Sequence, residues 1–414
     1  MEWVQTIGCK IPIKSWCSPL EQGAMSQAIA LANHPVVVRH VALMPDCHEG
    51  YGMPIGGVIA CKNAVIPNAV GKDISCGMRA VETNIPADIL DKETIQEILH
   101  STKRDIPVGF SVHSEKQEWI TFVNEGIRHN MFTVIFNNNR AGWNEGYKTQ
   151  DRAEKSLGTL GGGNHFIELQ KSDDGFVWLM VHSGSRNLGA VIADYYNKKA
   201  LELNRKWQAA IPNKDLAFLP VDDDAGKEYI KHMKWCMEFA EENRKRLMEK
   251  FKIALEHTFN KKGFFHSYER EIDINHNFAQ LENHFGQNLW IHRKGATQAR
   301  LGQIGIIPGS MGTPSYIVEG LGNKDSFESC SHGAGRRMAR SKASDTLTIE
   351  ECNEAMKDIV YEGWGKTEKR KNREQKIDLS EAPQAYKDID LVMEAQKDLV
   401  KPLVKLYPLG VIKG

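Results

Sequence analysis

Five side chains able to donate a lone pair to a metal ion stand out, although they are scattered over two hundred residues. Asp73 and Cys76, three apart in the glycine-bounded stretch VGKDISCGM, offer a carboxylate oxygen and a thiolate. A thiolate can bridge two divalent ions, and a carboxylate adds a hard oxygen that suits manganese. His165 and His182 bracket FIELQ (166–170) and FVWLMV (176–181), which flank the turn sequence KSDDG and so read as a hairpin. A turn symmetric about Asp173–Asp174 sets His165 opposite His182, with Cβ atoms about 5 Å apart. Two histidines ending their strands by chance is the plainer alternative. With His276 in INHNF, the donor set becomes O, S, N, N and N. That mixture fits two adjacent transition-metal ions and lacks the paired CxxC ligands of a closed zinc knuckle.

The stretch CSHGAGRRMAR (330–340) holds one further histidine and three arginines. His332 can be read as a metal ligand, half of a Cys330–His332 pair, a helix-cap residue or a nucleophile. Five other candidate ligands make metal duty unnecessary, and residues two apart in an extended segment share a side without facing each other. A helix starting at Gly333 would leave His332 at its N-terminus, where free N–H groups stabilise a phosphate on or near the imidazole. Arg336 and Arg340 would then share one helical face and could hold phosphate or RNA backbone. A satisfied structural histidine remains open.

Two glycine-rich loops could let backbone approach a ligand. Gly161–Gly163 precede Asn164 and His165, and Pro308-Gly309-Ser310-Met311-Gly312 is followed by Ser315. Neither matches the phosphate loop with its lysine or the GxGxxG dinucleotide fingerprint. Pro45-Asp46-Cys47-His48 and Arg186, in HSGSRNLG, stand in a second tier, against a turn-forming PD and a solvated arginine.

The elements that must position these groups are mixed. Residues 36–83 alternate short β-branched runs with Gly, Pro and Asn, a pattern of short strands and tight turns. Residues 88–103 and 115–130 read as helices, and 185–260 is mostly helical. Its clearest part is 226–257, where Tyr229, Met233, Cys236, Ala240, Leu247, Phe251 and Leu255 form an apolar stripe best read as core. From 271 to about 325 strands return; the chain then reads helical from 333 and ends in a helix near 386–400 and a short strand, GVIK. The run KTEKRKNREQK (366–376) reads as a solvated charged segment.

The whole chain sets the frame. Its 414 residues, 41% of them hydrophobic, can bury a large core, and zero net charge leaves any nucleic-acid binding to local patches. The N-terminus lacks signal-peptide features and no window approaches a membrane span, so a cytoplasmic protein is expected. Eight scattered cysteines favour buried thiols or metal thiolates over disulfides.

Taken together, MPDCHEGYGMPIGGV, VGKDISCGM, LGTLGGGNHFIEL, VHSGSRNLG, INHNFAQ, RKGA, GIIPGSMGTPSYIVEGLGN, CSHGAGRRMAR and the terminal VIKG resemble the RtcB family of GTP-dependent RNA ligases, from about Arg39 to Gly414. The resemblance implies an α+β fold. It would be a single large domain of short mixed or antiparallel strands around a dinuclear metal centre, with peripheral helices and a helical insertion at about 190–262. It implies joining of an RNA 3′-phosphate or 2′,3′-cyclic phosphate end to a 5′-hydroxyl end, in RNA repair or tRNA splicing, using GTP and two Mn²⁺ ions. Asp73, Cys76, His165, His182 and His276 match the manganese ligands, with Cys76 as bridge, and His332 matches the histidine that accepts GMP. The implied GMP contacts are Asn164, His165, Phe166, Ile167, Glu168, His276, Asn277, Pro308, Gly309, Ser310, Met311, Ser315, His332, Gly333, Ala334, Gly335 and Lys413. Arg186, Arg336 and Arg340 are the candidates for RNA phosphates, and an archease-like activator is a further candidate partner. Cys47 stands where the family has valine, which adds a thiol near the site, and 362–378 departs from the family pattern. A phosphoesterase acting on cyclic phosphates and an RNA-binding module with a structural metal are the competing readings.

Overall fold

The computed structural model describes residues 1–119, 146–261, 266–366 and 376–414. Two large sheets carry the molecule. The first, of six strands, runs in the order β1 (Trp3–Gln5), β2 (Ile13–Ser15), β3 (Val37–His48), β4 (Ile55–Cys61), β12 (Gln287–Lys294), β11 (Asn277–His284). Its β2–β3 pair is parallel and its other pairs are antiparallel. The second, antiparallel throughout, runs in the order β10 (Tyr268–Asn275), β6 (Gly77–Pro86), β8 (Phe176–Ser183), β7 (Phe166–Ser172), β17 (Val400–Lys413), β15 (Ser315–Gly320), β14 (Ile304–Ile307). Two small pairs complete the strands: β5 (Ala64–Val65) with β9 (Leu219–Pro220), and β13 (Ala296–Gln298) with β16 (Ser329–Ser331). The helices are α1 (Gln22–Ala32), α2 (Pro67–Val70), α3 (Lys92–Asp105), α4 (Gly146–Ser156), α5 (Leu188–Lys206), α6 (Asp224–Lys261), α7 (Arg340–Thr346), α8 (Ile349–Ala355) and α9 (Ile389–Ala395). This is the expected mixed α+β architecture.

The seven-stranded sheet is buried on both faces. Val177, Leu179 and Val181 pack with Ile167 and Ile412 against α3 and α6, while Trp178 and Met180 pack with Met78, Ile274 and Leu406 on the other side. That period-two division explains why FVWLMV is an unbroken apolar run. The stripe of α6 lies as expected, with Tyr229, Met233, Cys236, Ala240, Leu247, Phe251 and Leu255 fully buried.

Several expectations give way. The β7–β8 turn is a three-residue loop, Asp173–Gly175, with Gly175 at φ +97°. Glycine tolerates that left-handed backbone, and the odd loop length shifts the register by one, so His182 faces Phe166 rather than His165. No helix begins at Gly333. Gly335 has φ +73°, and a Cβ there would stand 2.4 Å from the Asp46 carbonyl, so the chain stays irregular until α7 starts at Arg340. The C-terminal strand is longer than GVIK, spanning Val400–Lys413 in the middle of the sheet. Register shifts around Pro402 and Pro408 let two prolines sit in a central strand. Of the helix expected at 115–130, residues 115–119 are non-helical and the rest lies outside the described residues, as does most of the charged run 366–376.

This topology aligns functional residues at one end of adjacent strands. In the order β10, β6, β8, β7, β17, His276 follows the end of β10, Cys76 precedes β6, His182 nears the end of β8, His165 precedes β7 and Lys413 ends β17. Arg244 of α6, fully buried, braces that edge from behind. It pairs through two nitrogens with Asp273 at 2.9 and 2.6 Å and donates to Ser75 O at 3.0 Å, Ser183 O at 3.3 Å and Asn275 Oδ1 at 2.9 Å. Replacing Arg244 by leucine leaves the partly buried Asp273 with its longer contact to Arg79 at 3.4 Å and orphans the Ser75 and Ser183 carbonyls. A loss of about 3–5 kcal/mol in denaturant unfolding is expected; a loss below about 1 kcal/mol would contradict this bracing role.

Candidate functional site

Two groups of potential metal ligands meet at Cys76. Cys76, His182 and His276 form one, Asp73, Cys76 and His165 the other, and within each the donor atoms lie within 4.8 Å of one another. Cys76 Sγ is 3.4 Å from His165 Nε2 and 3.2 Å from His182 Nε2, and His165 Nε2 is 3.2 Å from Asp73 Oδ2. The pairing of His165 with His182 therefore survives the register shift, since their ring centroids stand 5.4 Å apart. It survives because His165 lies outside the ladder, where the glycine turn sets its direction. Gly161 has φ +95°, and a Cβ there would stand 2.1 Å from Arg186 Nη1 and 2.5 Å from His165 Nδ1.

The surroundings prepare these side chains for a cation. His165 Nδ1 lies 2.9 Å from Leu160 O and His182 Nδ1 3.2 Å from Asn164 O. Donation to a carbonyl places the proton on Nδ1 and turns the Nε2 lone pair inward. His276 Nδ1 is buried without a hydrogen-bond partner among the described residues. Burial pushes the Cys76 thiol well up, with the Asp73 carboxylate adding to it, and pushes His182 and His276 well down. A divalent cation offsets these penalties by supplying the charge that buried lone pairs face. The donor set thus fits a metal centre, with Cys76 shared between two positions.

Beside this cluster opens a cleft of about 780 Å³. Of the residues expected to contact a nucleotide, Asn164, Phe166, Glu168, Pro308 to Met311, Ser315, His332 to Gly335 and Lys413 line it. Four do not. His165 and His276 belong to the ligand cluster, Ile167 points into the core, and Asn277 braces the loops by donating to Asp73 O at 3.0 Å and accepting from Gly295 N at 2.8 Å. Within the 308–315 loop, Thr313 Oγ1 accepts from Ser310 N at 2.7 Å and Ser315 Oγ from Gly309 N at 3.2 Å, so its shape is held by its own hydroxyls.

His332 stands at the junction of cleft and cluster, its ring 4.9 Å from that of His276, yet it belongs to neither ligand group. Its orientation comes from Asp46, a residue that nothing in the local sequence PDCH sets above a turn-forming PD. Asp46 is fully buried, and its Oδ2 lies 2.5 Å from His332 Nδ1 and accepts from His332 N at 3.1 Å. A proton held on Nδ1 leaves the lone pair on Nε2, as in other carboxylate-oriented histidines. Strand alternation sends the next residue the opposite way, so Cys47 is buried in the core with its thiol pushed well up by burial. It is not a reactive group in the cleft.

The candidate arginines separate. Arg186 lies outside the cleft lining, held by Thr159 Oγ1 at 2.9 Å and Gly109 O at 3.2 Å. Arg336 and Arg340 line the cleft, and both reach Glu381 Oε1 at 3.2 Å, while Lys413 Nζ reaches Glu381 Oε2 at 3.3 Å. Burial would raise the Glu381 carboxyl, but Lys413 and Arg340 outweigh it and hold the group at about 2. Nothing local in DLSEAP marks Glu381; only the convergence of three distant cations reveals it.

A cleft of this size beside a cluster of side chains able to hold metal, with an oriented imidazole between them, is the arrangement of a metal-dependent enzyme site. The sequence profile of the family described as "tRNA-splicing ligase RtcB" matches residues 27–414, and the chain belongs to that family. It is 39% identical over 420 residues to "RNA-splicing ligase RtcB" of Escherichia coli (strain K12), covering 97% of each chain. It is 30% identical to "tRNA-splicing ligase RtcB" of Pyrobaculum aerophilum, covering 94% of this chain and 91% of the relative. It is also 31% identical to "RNA-splicing ligase RtcB" of Mycobacterium bovis, covering 94% and 100%.

Two outcomes follow from this geometry. Replacing Cys76 by alanine should weaken both metal positions, whereas His276→Ala should weaken one, read as manganese stoichiometry by calorimetry; equal losses would contradict the shared thiol. Burial raises the Glu168 carboxyl from 4.5 to about 8, against Gln170 and Lys413, which lower it. A carboxyl raised by folding costs stability as pH climbs from 4.5 to 8. Glu168→Gln should therefore stabilise the ligand-free protein above pH 8 by roughly 2 kcal/mol or more, and leave it unchanged at pH 4. Equal stability of the two proteins at pH 9 would refute it.

Proposed function

We propose that this protein is an RNA ligase that joins a 3′-phosphate or 2′,3′-cyclic phosphate end to a 5′-hydroxyl end through a histidine–GMP adduct on His332. The observation that carries this reading is the Asp46–His332 pair, with Nε2 as the nucleophilic nitrogen in a nucleotide-sized cleft beside the ligand cluster. Family membership supports the RNA ligase class.

The residues divide the work as follows. Asp73, Cys76, His165, His182 and His276 would hold two Mn²⁺ ions, which supply positive charge against phosphate oxygens. Glu168 and the loop from Pro308 to Met311 bound the space for a guanosine nucleotide. His332 Nε2 bonds to the α-phosphorus of GTP as the α–β phosphoanhydride breaks and pyrophosphate leaves, and Asp46 stabilises the charge that develops on the imidazole. The GMP group then passes from His332 to an oxygen of the RNA 3′-phosphate, restoring the histidine. The 5′-hydroxyl attacks that activated phosphorus, a phosphodiester forms and GMP leaves. Arg336 and Arg340 would exchange Glu381 for RNA phosphates, since a guanidinium recognises either in the same bidentate way.

Incubation with α-³²P-GTP and Mn²⁺ should label the protein. Replacement of His332 by alanine should abolish the label while bound manganese is unchanged, and Asp46→Asn should slow labelling by about a hundredfold or more through the wrong tautomer. Labelling that persists in the alanine variant would overturn the assignment of the nucleophile.

A further inference from the structure

A second hollow of about 300 Å³ adjoins the cleft and shares Met311, Glu381 and Lys413 with it. Tyr361 and Trp364 form one wall, with ring centroids 5.4 Å apart at 62°. Their polar ends are both tied back: Tyr361 Oη and Trp364 Nε1 donate to Asn353 Oδ1 at 3.0 and 2.8 Å. The rings are thus held in place while remaining half-exposed. Gly363 and Gly365 stand beside them, and no atom of the described residues lies within 4 Å of where a Cβ on either would be.

Charge narrows what this hollow can take. Glu362 and Asp378 line it, Glu362 paired with Lys103 and Asp378 accepting from Ser380 N at 2.9 Å and Ser344 Oγ at 3.2 Å. Arg336 and Arg340 face the main cleft instead. Lys413, the cation among its described lining residues, is already paired with Glu381, so phosphate is disfavoured in the hollow and an uncharged planar group that stacks on an aromatic ring is favoured. The volume is that of about ten waters at roughly 30 Å³ each, which leaves ample room for one nucleobase.

We infer that this hollow, walled by Tyr361 and Trp364, is a subsite that receives one unpaired nucleobase from an RNA end while the neighbouring phosphate lies in the main cleft. The inference rests on the ligase reading above, and it assigns a role to Tyr361, which precedes the segment that departs from the family pattern, and to Trp364, which lies within it. Base-on-aromatic stacking is sequence-tolerant, which suits an enzyme that must hold ends of differing sequence.

The test uses two sets of RNA ends, one lacking the base of the 3′-phosphate nucleotide and one lacking that of the 5′-hydroxyl nucleotide. The arm whose base occupies the hollow should show a rise in KM of about tenfold, within the range of measured stacking losses, with kcat largely held. Trp364→Leu should raise KM for intact RNA by a similar factor and make removal of the same base cost nothing further, while Trp364→Phe should retain most of the wild-type KM. Thermal melting of both variants separates misfolding from lost contact. Unchanged KM in both abasic arms, or penalties of Trp364→Leu and base removal that multiply independently, would overturn the subsite. Labelling of the wild-type protein by GTP without RNA reports on the ligase reading: no label sinks that reading, whereas label with unchanged KM sinks the subsite alone.

Discussion

Four lone-pair donors crowded around the Cys76 sulfur, in a volume largely closed to water, impose the condition that the surrounding structure meets. Asp73 and Cys76 share the loop before β6 and the three histidines lie at the ends of β7, β8 and β10, so the seven-stranded sheet must bring four strand ends to one edge and hold them there. Backbone alone does not do this. Arg244 ties three strand ends from behind, Asn277 ties the Asp73 loop to Gly295, and the carbonyls of Leu160 and Asn164 orient two imidazoles. Burying so many ionisable groups is costly, and the apolar layers on both faces of the sheet offset that cost.

The cleft beside the cluster follows a related rule, in which several charges that face it are held by protein partners until a ligand displaces them. Glu381 gathers Arg336, Arg340 and Lys413, and Asp46 holds His332. Such pairing keeps cations oriented at modest desolvation cost, and phosphate can compete for them because carboxylate and phosphate present similar oxygen geometry. Glu168 is the exception. Among the described residues its buried carboxyl has a hydrogen bond from Gln170 Nε2 to Oε2 at 2.6 Å and no other, and that deficit marks it as a group a ligand could satisfy.

Much of this was readable from residue types and spacing because chemistry-bearing residues sit in glycine-bounded loops with few alternative roles. The five candidate donors that converge on one edge of the sheet and the buried α6 stripe both follow from donor type and periodicity. What failed were inferences that needed local geometry. The His165–His182 pairing was argued from a symmetric two-residue turn, whereas the loop has three residues, and the rings meet because a glycine turn aims His165. The helix placed after His332 was stopped by Gly335, whose close approach to Asp46 has no trace in the run HGAGRRMAR.

The sequence by itself determined the inventory: which side chains carry lone pairs able to bind metal and which runs must be buried. Those properties belong to single side chains and to periods of two or 3.6 residues. Only the tertiary structure decided that Asp46 orients His332, that Glu381 collects three cations, and that Tyr361 and Trp364 wall a hollow beside the cleft. Each of those is a contact between segments far apart in the chain. Strand order sets such contacts, and no local pattern of residues encodes them.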